Sequence, residues 1–167
     1  MTQTGRLLLA IGGVLSALIA VAHLVVAMIG DAGYRYVGAG GLLAMSGQPG
    51  AVGPASITLT AAAVFAGAAA CGWSGAGLLP RVRVVRPALV IIAAGFLLRG
   101  LEVLPQGAAF VMTPSGMPTR YVFFSLLSLV TGLCYALGAR TAWTWLGSGG
   151  DVADGPLADP RDDPDND

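Results

Sequence analysis

The chain has 167 residues, 55% of them hydrophobic and 11% charged, with a mean hydropathy of +0.75. Soluble domains carry about 25% charged residues, so the composition excludes an ordinary soluble domain. Nine Arg and nine Asp plus Glu balance only by segregation: eight Arg and two acids, Asp31 and Glu102, precede Leu146, and one Arg and seven Asp come after it.

Residues 1–6 are polar, with one positive side chain, and residues 7–29 then run apolar, interrupted by Ser16 and His23. At the helical rise that run makes about 34 Å, enough for a hydrocarbon core of about 30 Å. A cleaved leader has an apolar region of only about 7–15 residues, so this run reads as a retained first span. Gly12, Ser16, Ala20, His23, Ala27 and Gly30 recur at three- and four-residue spacing. Such a stripe of small residues lets membrane helices approach closely.

Residues 30–55 form the longest connection. Asp31, Tyr34, Arg35 and Tyr36 open it, and tyrosines beside a charge suit the headgroup level. Residues 37–45 (VGAGGLLAM) are apolar but too short to cross, which fits a short interfacial helix in this loop. Three glycines within residues 37–41 weaken that helix. Residues 46–54 (SGQPGAVGP) are turn chemistry.

The second span covers residues 56–79, with Thr60, Ala63, Gly67, Ala70, Ser74 and Gly77 on one stripe, and ends at Pro80. Arg81, Arg83 and Arg86 follow in a short loop, and Pro87 suits the first turn of the third span, residues 88–104. Pro105 is expected to end that span, and residues 106–119 then make a second polar connection. Arg120 and Tyr121 open the fourth span, residues 121–146, and Trp143 and Trp145 mark its far interface. Residues 1–146 are thus expected to form an all-α, four-helix transmembrane bundle. Residues 147–167, rich in Asp and Pro, have little to bury and are expected to be a disordered acidic tail.

Four spans place both termini on one side. That side holds Arg6, Arg81, Arg83, Arg86, Arg140 and Arg161, against Arg35, Arg99 and Arg120 on the other. The positive-inside rule makes the richer side cytoplasmic, in a multi-pass protein of a bacterial inner membrane.

Arg99 and Glu102 stand inside an apolar run, where ionisable groups are costly and commonly functional. By helical rise His23 lies about 7 Å, and Arg99 about 5 Å, to the outer side of their spans' midpoints. Ser125 and Ser128 fall at a similar level of the fourth span, on a stripe with Gly132 and Tyr135, and Thr58 and Thr60 do so in the second. The candidate ligand-binding set is therefore His23, Arg99, Glu102 and Ser128, with Tyr34 and Arg35 at the adjoining surface. Three readings stay open: an internal ion pair with His23 hydrogen-bonded nearby, a pocket for a polar-headed ligand, or Arg99 snorkelling to the outer interface.

Sharper chemistries lack their residues. Gly72-Trp73-Ser74-Gly75 matches the GxSG pattern of rhomboid-type proteases, but Ser74 lies about 18 Å in depth from the one histidine. One histidine cannot give bis-histidine haem ligation, and Cys71 and Cys134 are isolated within apolar runs, where free cysteine behaves as a small buried residue. Small multidrug exporters are of similar size but rely on an acidic residue in the first span, where this chain has His23. No Walker loop, HExxH or metal-ligand cluster is present, and no cofactor or nucleic-acid partner is expected.

Tyr34-Arg35-Tyr36-Val37-Gly38-Ala39-Gly40, Ser74-Gly75-Ala76-Gly77 and Leu98-Arg99-Gly100-Leu101 give the chain a resemblance to small four-span bacterial inner-membrane proteins, loosely DoxX-like in size and layout. In that pattern an acidic residue follows the first motif, where this chain has Gly41. The resemblance implies a fold and a location but no activity. Three functions follow as expectations. The first is a non-enzymatic protein that binds a lipid or other small amphiphile, or is a subunit of a membrane complex. The second is an intramembrane enzyme using Glu102 or His23 as acid/base, and the third is an oligomeric transporter. Membrane lipids, a second copy or a membrane-complex subunit are the partners to expect.

Overall fold

A computed structural model describes residues 2–41, 53–80, 84–112 and 118–147, and among them there is no strand. The described helices are α1 (Gln3–Ile29), α2 (Asp31–Tyr36), α3 (Pro54–Gly75), α4 (Val85–Leu101), α5 (Val103–Met112), α6 (Thr119–Thr141) and α7 (Trp143–Gly147). Among the described residues four segments are long and apolar enough to cross a membrane: α1, α3, the α4–α5 stretch Val85–Met112, and α6. This is the expected all-α, four-helix arrangement of a multi-pass membrane protein. The expected interfacial helix falls largely outside the described residues, which stop at Gly41, as does the acidic tail beyond Gly147.

Local chemistry sets the ends. Thr2 caps α1, its hydroxyl accepting from the Gly5 amide at 3.2 Å. Gly30, at φ 73°, turns the chain from α1 into α2, a conformation glycine adopts without a steric penalty. At the opposite end of the bundle Trp145 lies over Gly77, and the Arg86 guanidinium stacks 3.9 Å from the Trp143 ring centroid.

The third span corrects the expectation that it ends at Pro105. The helix is interrupted at Glu102, restarts at Val103 and runs on to Met112, taking in Gln106 and the first half of the expected polar connection. Pro105 therefore stands in the first turn of α5, a position that needs no N–H of its own. The break before it is where the missing bond falls, because the Leu101 carbonyl has no amide at residue 105 to accept from.

α1 packs chiefly on α3, α4 packs chiefly on α6, and α1 also crosses α6. Lipid offers no hydrophobic drive between helices, so close backbone approach matters. A Cβ at Gly72 would sit 2.9 Å from the Leu9 carbonyl and 3.0 Å from the Gly13 Cα. On the other pair, a Cβ at Gly100 would sit 2.5 Å from the Leu129 Cα, and one at Gly132 2.8 Å from the Leu97 amide nitrogen. Leu9, Leu89 and Tyr135 fill the centre, fully buried.

The small-residue stripe of the first span faces the core at Gly12, Ser16 and Ala20. The stripe expected in the second does so only at Ser74: Thr60, Ala63, Gly67, Ala70 and Gly77 are exposed, while α3 also buries Thr58, Ala62, Ala68, Ala69 and Gly72. Most residues of α3 are small, so spacing alone marks no single face.

Candidate functional site

The break in the third span gathers four polar side chains. Arg99 lies in the last turn of α4, Glu102 occupies the break, Gln106 stands in α5 and Ser125 faces them from α6. Arg99 and Glu102 form an ion pair through Nη1 and Oε2. Arg99 Nη1 also donates to the Ser125 hydroxyl at 3.0 Å, and Ser125 donates to Gln106 Oε1 at 2.8 Å. Gln106 Nε2 closes the ring by donating to Glu102 Oε2 at 3.3 Å.

The depth of this ring follows from the glycine contacts. Gly100 meets Leu129 and Gly132 meets Leu97, so the Arg99 backbone stands level with the middle of α6. Ser125 lies five residues nearer the α2 end, about 7.5 Å by helical rise. With the middle of α6 at the midplane of a bilayer, the quartet falls within the half-thickness of about 15 Å of the hydrocarbon core. Ser125 is fully buried, but the Arg99 and Glu102 side chains keep 45% and 53% of their exposure. The pair is thus mutual, but it lies on the outside of the bundle and is not an internal staple.

The other candidates go elsewhere. His23 gives its Nδ1 to a 2.8 Å hydrogen bond with the Ile19 carbonyl of its own helix and packs against Phe65 with the rings tilted, centroids 4.9 Å apart. Ser128 donates to the Phe124 carbonyl, and Thr58 and Thr60 donate to carbonyls four residues back. These bonds stay within one helix and use the one proton of each hydroxyl, so none of them reaches a neighbouring helix. Tyr34 is buried in α2, its hydroxyl without a hydrogen-bond partner among the described residues, and Arg35 is exposed beside it. Both lie at the α2 end, where the Arg120 guanidinium stands 5.1 Å from the Tyr36 ring centroid and 5.2 Å from that of Tyr121. Ser74 donates to the Pro80 carbonyl, which gives the GxSG serine a structural partner at a chain turn.

A second polar link went unnoticed in the sequence. Tyr135 donates to the Ala68 carbonyl at 2.8 Å and pairs with the Ser16 hydroxyl at 2.9 Å, tying α6 to α3 and α1 in the buried core. Its ring continues a chain of aromatic contacts through Phe96 and Phe65 to His23. Outside this core, an open apolar groove of about 460 Å³ lies between α1 and α3, floored by alanines and bounded by Leu24, Leu59 and Trp73.

Chemically, the quartet is a net-neutral dipole whose donors and acceptors are turned on one another and whose outer side remains open. His23 belongs to a different set of contacts from Glu102, so the two do not form an acid/base pair. Comparison with protein-family models, curated proteins and solved structures finds no match, and none of them bears on the DoxX-like resemblance.

Proposed function

We propose that this chain is a non-enzymatic subunit of a membrane assembly, held in a bacterial inner membrane with both termini cytoplasmic, and that the α4–α6 face carrying the quartet is its contact surface. One observation carries the reading: an ion pair about half exposed at hydrocarbon depth. Charged side chains at that depth normally face protein or a wet cavity, because lipid tails cannot solvate them. A protein surface laid over the pair removes that cost.

A photo-crosslinking side chain at Leu98, which is 69% exposed beside Arg99, tests this in intact membranes. Protein adducts are expected on irradiation. Lipid adducts alone would remove the assembly reading. Amphiphile binding is the second reading, and the alanine-floored groove between α1 and α3 favours it, since it could take an acyl chain without any polar partner.

A further inference from the structure

Resting on the assembly reading, we propose that the α4–α6 face docks a second copy of this chain, with Arg99 of each copy set against Glu102 of the other. Three properties of the quartet select this occupant.

The first is depth. The pair lies between the middle of α6 and a level about 8 Å from it, well short of lipid headgroups. A headgroup phosphate or ammonium does not reach it. The second is charge. Arg99 and Glu102 are already in contact, so an anionic ligand meets the carboxylate and a cationic one meets the guanidinium. A partner with both signs side by side is favoured, and the same face of another copy supplies that.

The third is symmetry. Copies inserted with one orientation pair face to face only about a two-fold axis along the membrane normal. An isologous contact of this kind requires a self-complementary patch. Two Arg–Glu pairs brought together about such an axis close an alternating ring of four charges, each cation between two anions. Gly100 and Gly132 hold the base of the patch rigid by locking α4 to α6. Leu98 in α4, Leu104 in α5 and Phe123 in α6, all more than half exposed, supply apolar surface beside it.

The experiment is charge reversal in the full-length chain, with self-association read in lipid nanodiscs or native membranes. Wild type is expected to dimerise. Arg99→Glu alone and Glu102→Arg alone each put four like charges at the contact, and each should weaken association by about tenfold or more. Co-expressed with different tags, the two variants should pair with each other and restore the dimer. The chain carrying both reversals, Arg99→Glu with Glu102→Arg, should dimerise by itself. Failure of the mixed pair to associate better than either variant alone overturns the proposal.

The Leu98 crosslink needs no change in the quartet and so covers the case in which a reversed chain misfolds. An adduct of twice the chain's mass supports the second copy. An adduct to a protein of another mass overturns the second copy and leaves the assembly reading standing. Absence of any protein adduct removes both.

Discussion

Tyr135 is fully buried where three helices meet, and its hydroxyl is hydrogen-bonded on two sides. Tyr135→Phe keeps the ring and removes both bonds, which in a membrane interior costs about 0.5–2 kcal/mol. Ser16→Ala removes one of the same bonds, so the double variant should lose less than the sum of the two singles. Unfolding in detergent measures all three, and strict additivity would show that Ser16 and Tyr135 do not act together. The sequence placed both residues on the right stripes but could not pair them. Helical rise gives a residue's height and says little about its direction around the bundle. The same gap explains why His23 and Ser128 were grouped with Arg99, whereas the structure gives Arg99 the neighbours Ser125 and Gln106. Gln106 was missed for a different reason: Pro105 read as a stop, which put the glutamine in a loop.

At the scale of the element, two glycines five residues apart in α4 have opposite roles. A Cβ at Gly100 would press on the Leu129 backbone at 2.5 Å, and backbone cannot swing aside as a side chain can. Gly100→Ala must part α4 from α6, with an overpacking cost of about 1–3 kcal/mol. Gly95 has nothing within 4 Å of its would-be Cβ, so Gly95→Ala should be neutral or stabilise by up to about 1 kcal/mol through helix propensity. Thermal unfolding of the two variants side by side checks this, and equal melting temperatures would mean that the α4–α6 crossing is not tight. Four long helices were legible because crossing a bilayer is a matter of length and hydropathy. Faces were legible only where small residues contrast with large ones, as Gly12, Ser16 and Ala20 do in α1. In α3 the outward Thr60, Ala63 and Gly67 resemble the inward Thr58, Ala62 and Ala69, and the pattern has no contrast to read.

For the whole molecule, the uneven arginines give an orientation that reporter fusions can check. A reporter after Gly147 should read as cytoplasmic, and one after Met112, on the α2 side, as external. An external reading at Gly147 would require an odd number of crossings or the reverse orientation. The chain is organised as two tight helix pairs, α1 with α3 and α4 with α6, joined through the Tyr135 link and the contact of α1 with α6. Its polar quartet belongs to the second pair and to α5, which continues it beyond the break.

That placement bears on how the third span enters the membrane during synthesis. Residues 85–112 hold thirteen Leu, Ile, Val and Phe, each favouring insertion by about 0.3–0.6 kcal/mol, while Arg99 and Glu102 near the middle oppose it by about 2.5–3.5 kcal/mol apiece. The sum is close to break-even, so this segment has little preference of its own between the translocation channel and the lipid. Ser125, the serine that accepts from Arg99, and Leu129, against which Gly100 rests, both lie in α6 and emerge from the ribosome later. The third and fourth spans should therefore enter lipid together, as a hairpin. A chain cut at residue 118, with its reporter placed after Met112, should split between cytoplasmic and external readings, and restoring residues 119–147 should make it uniform.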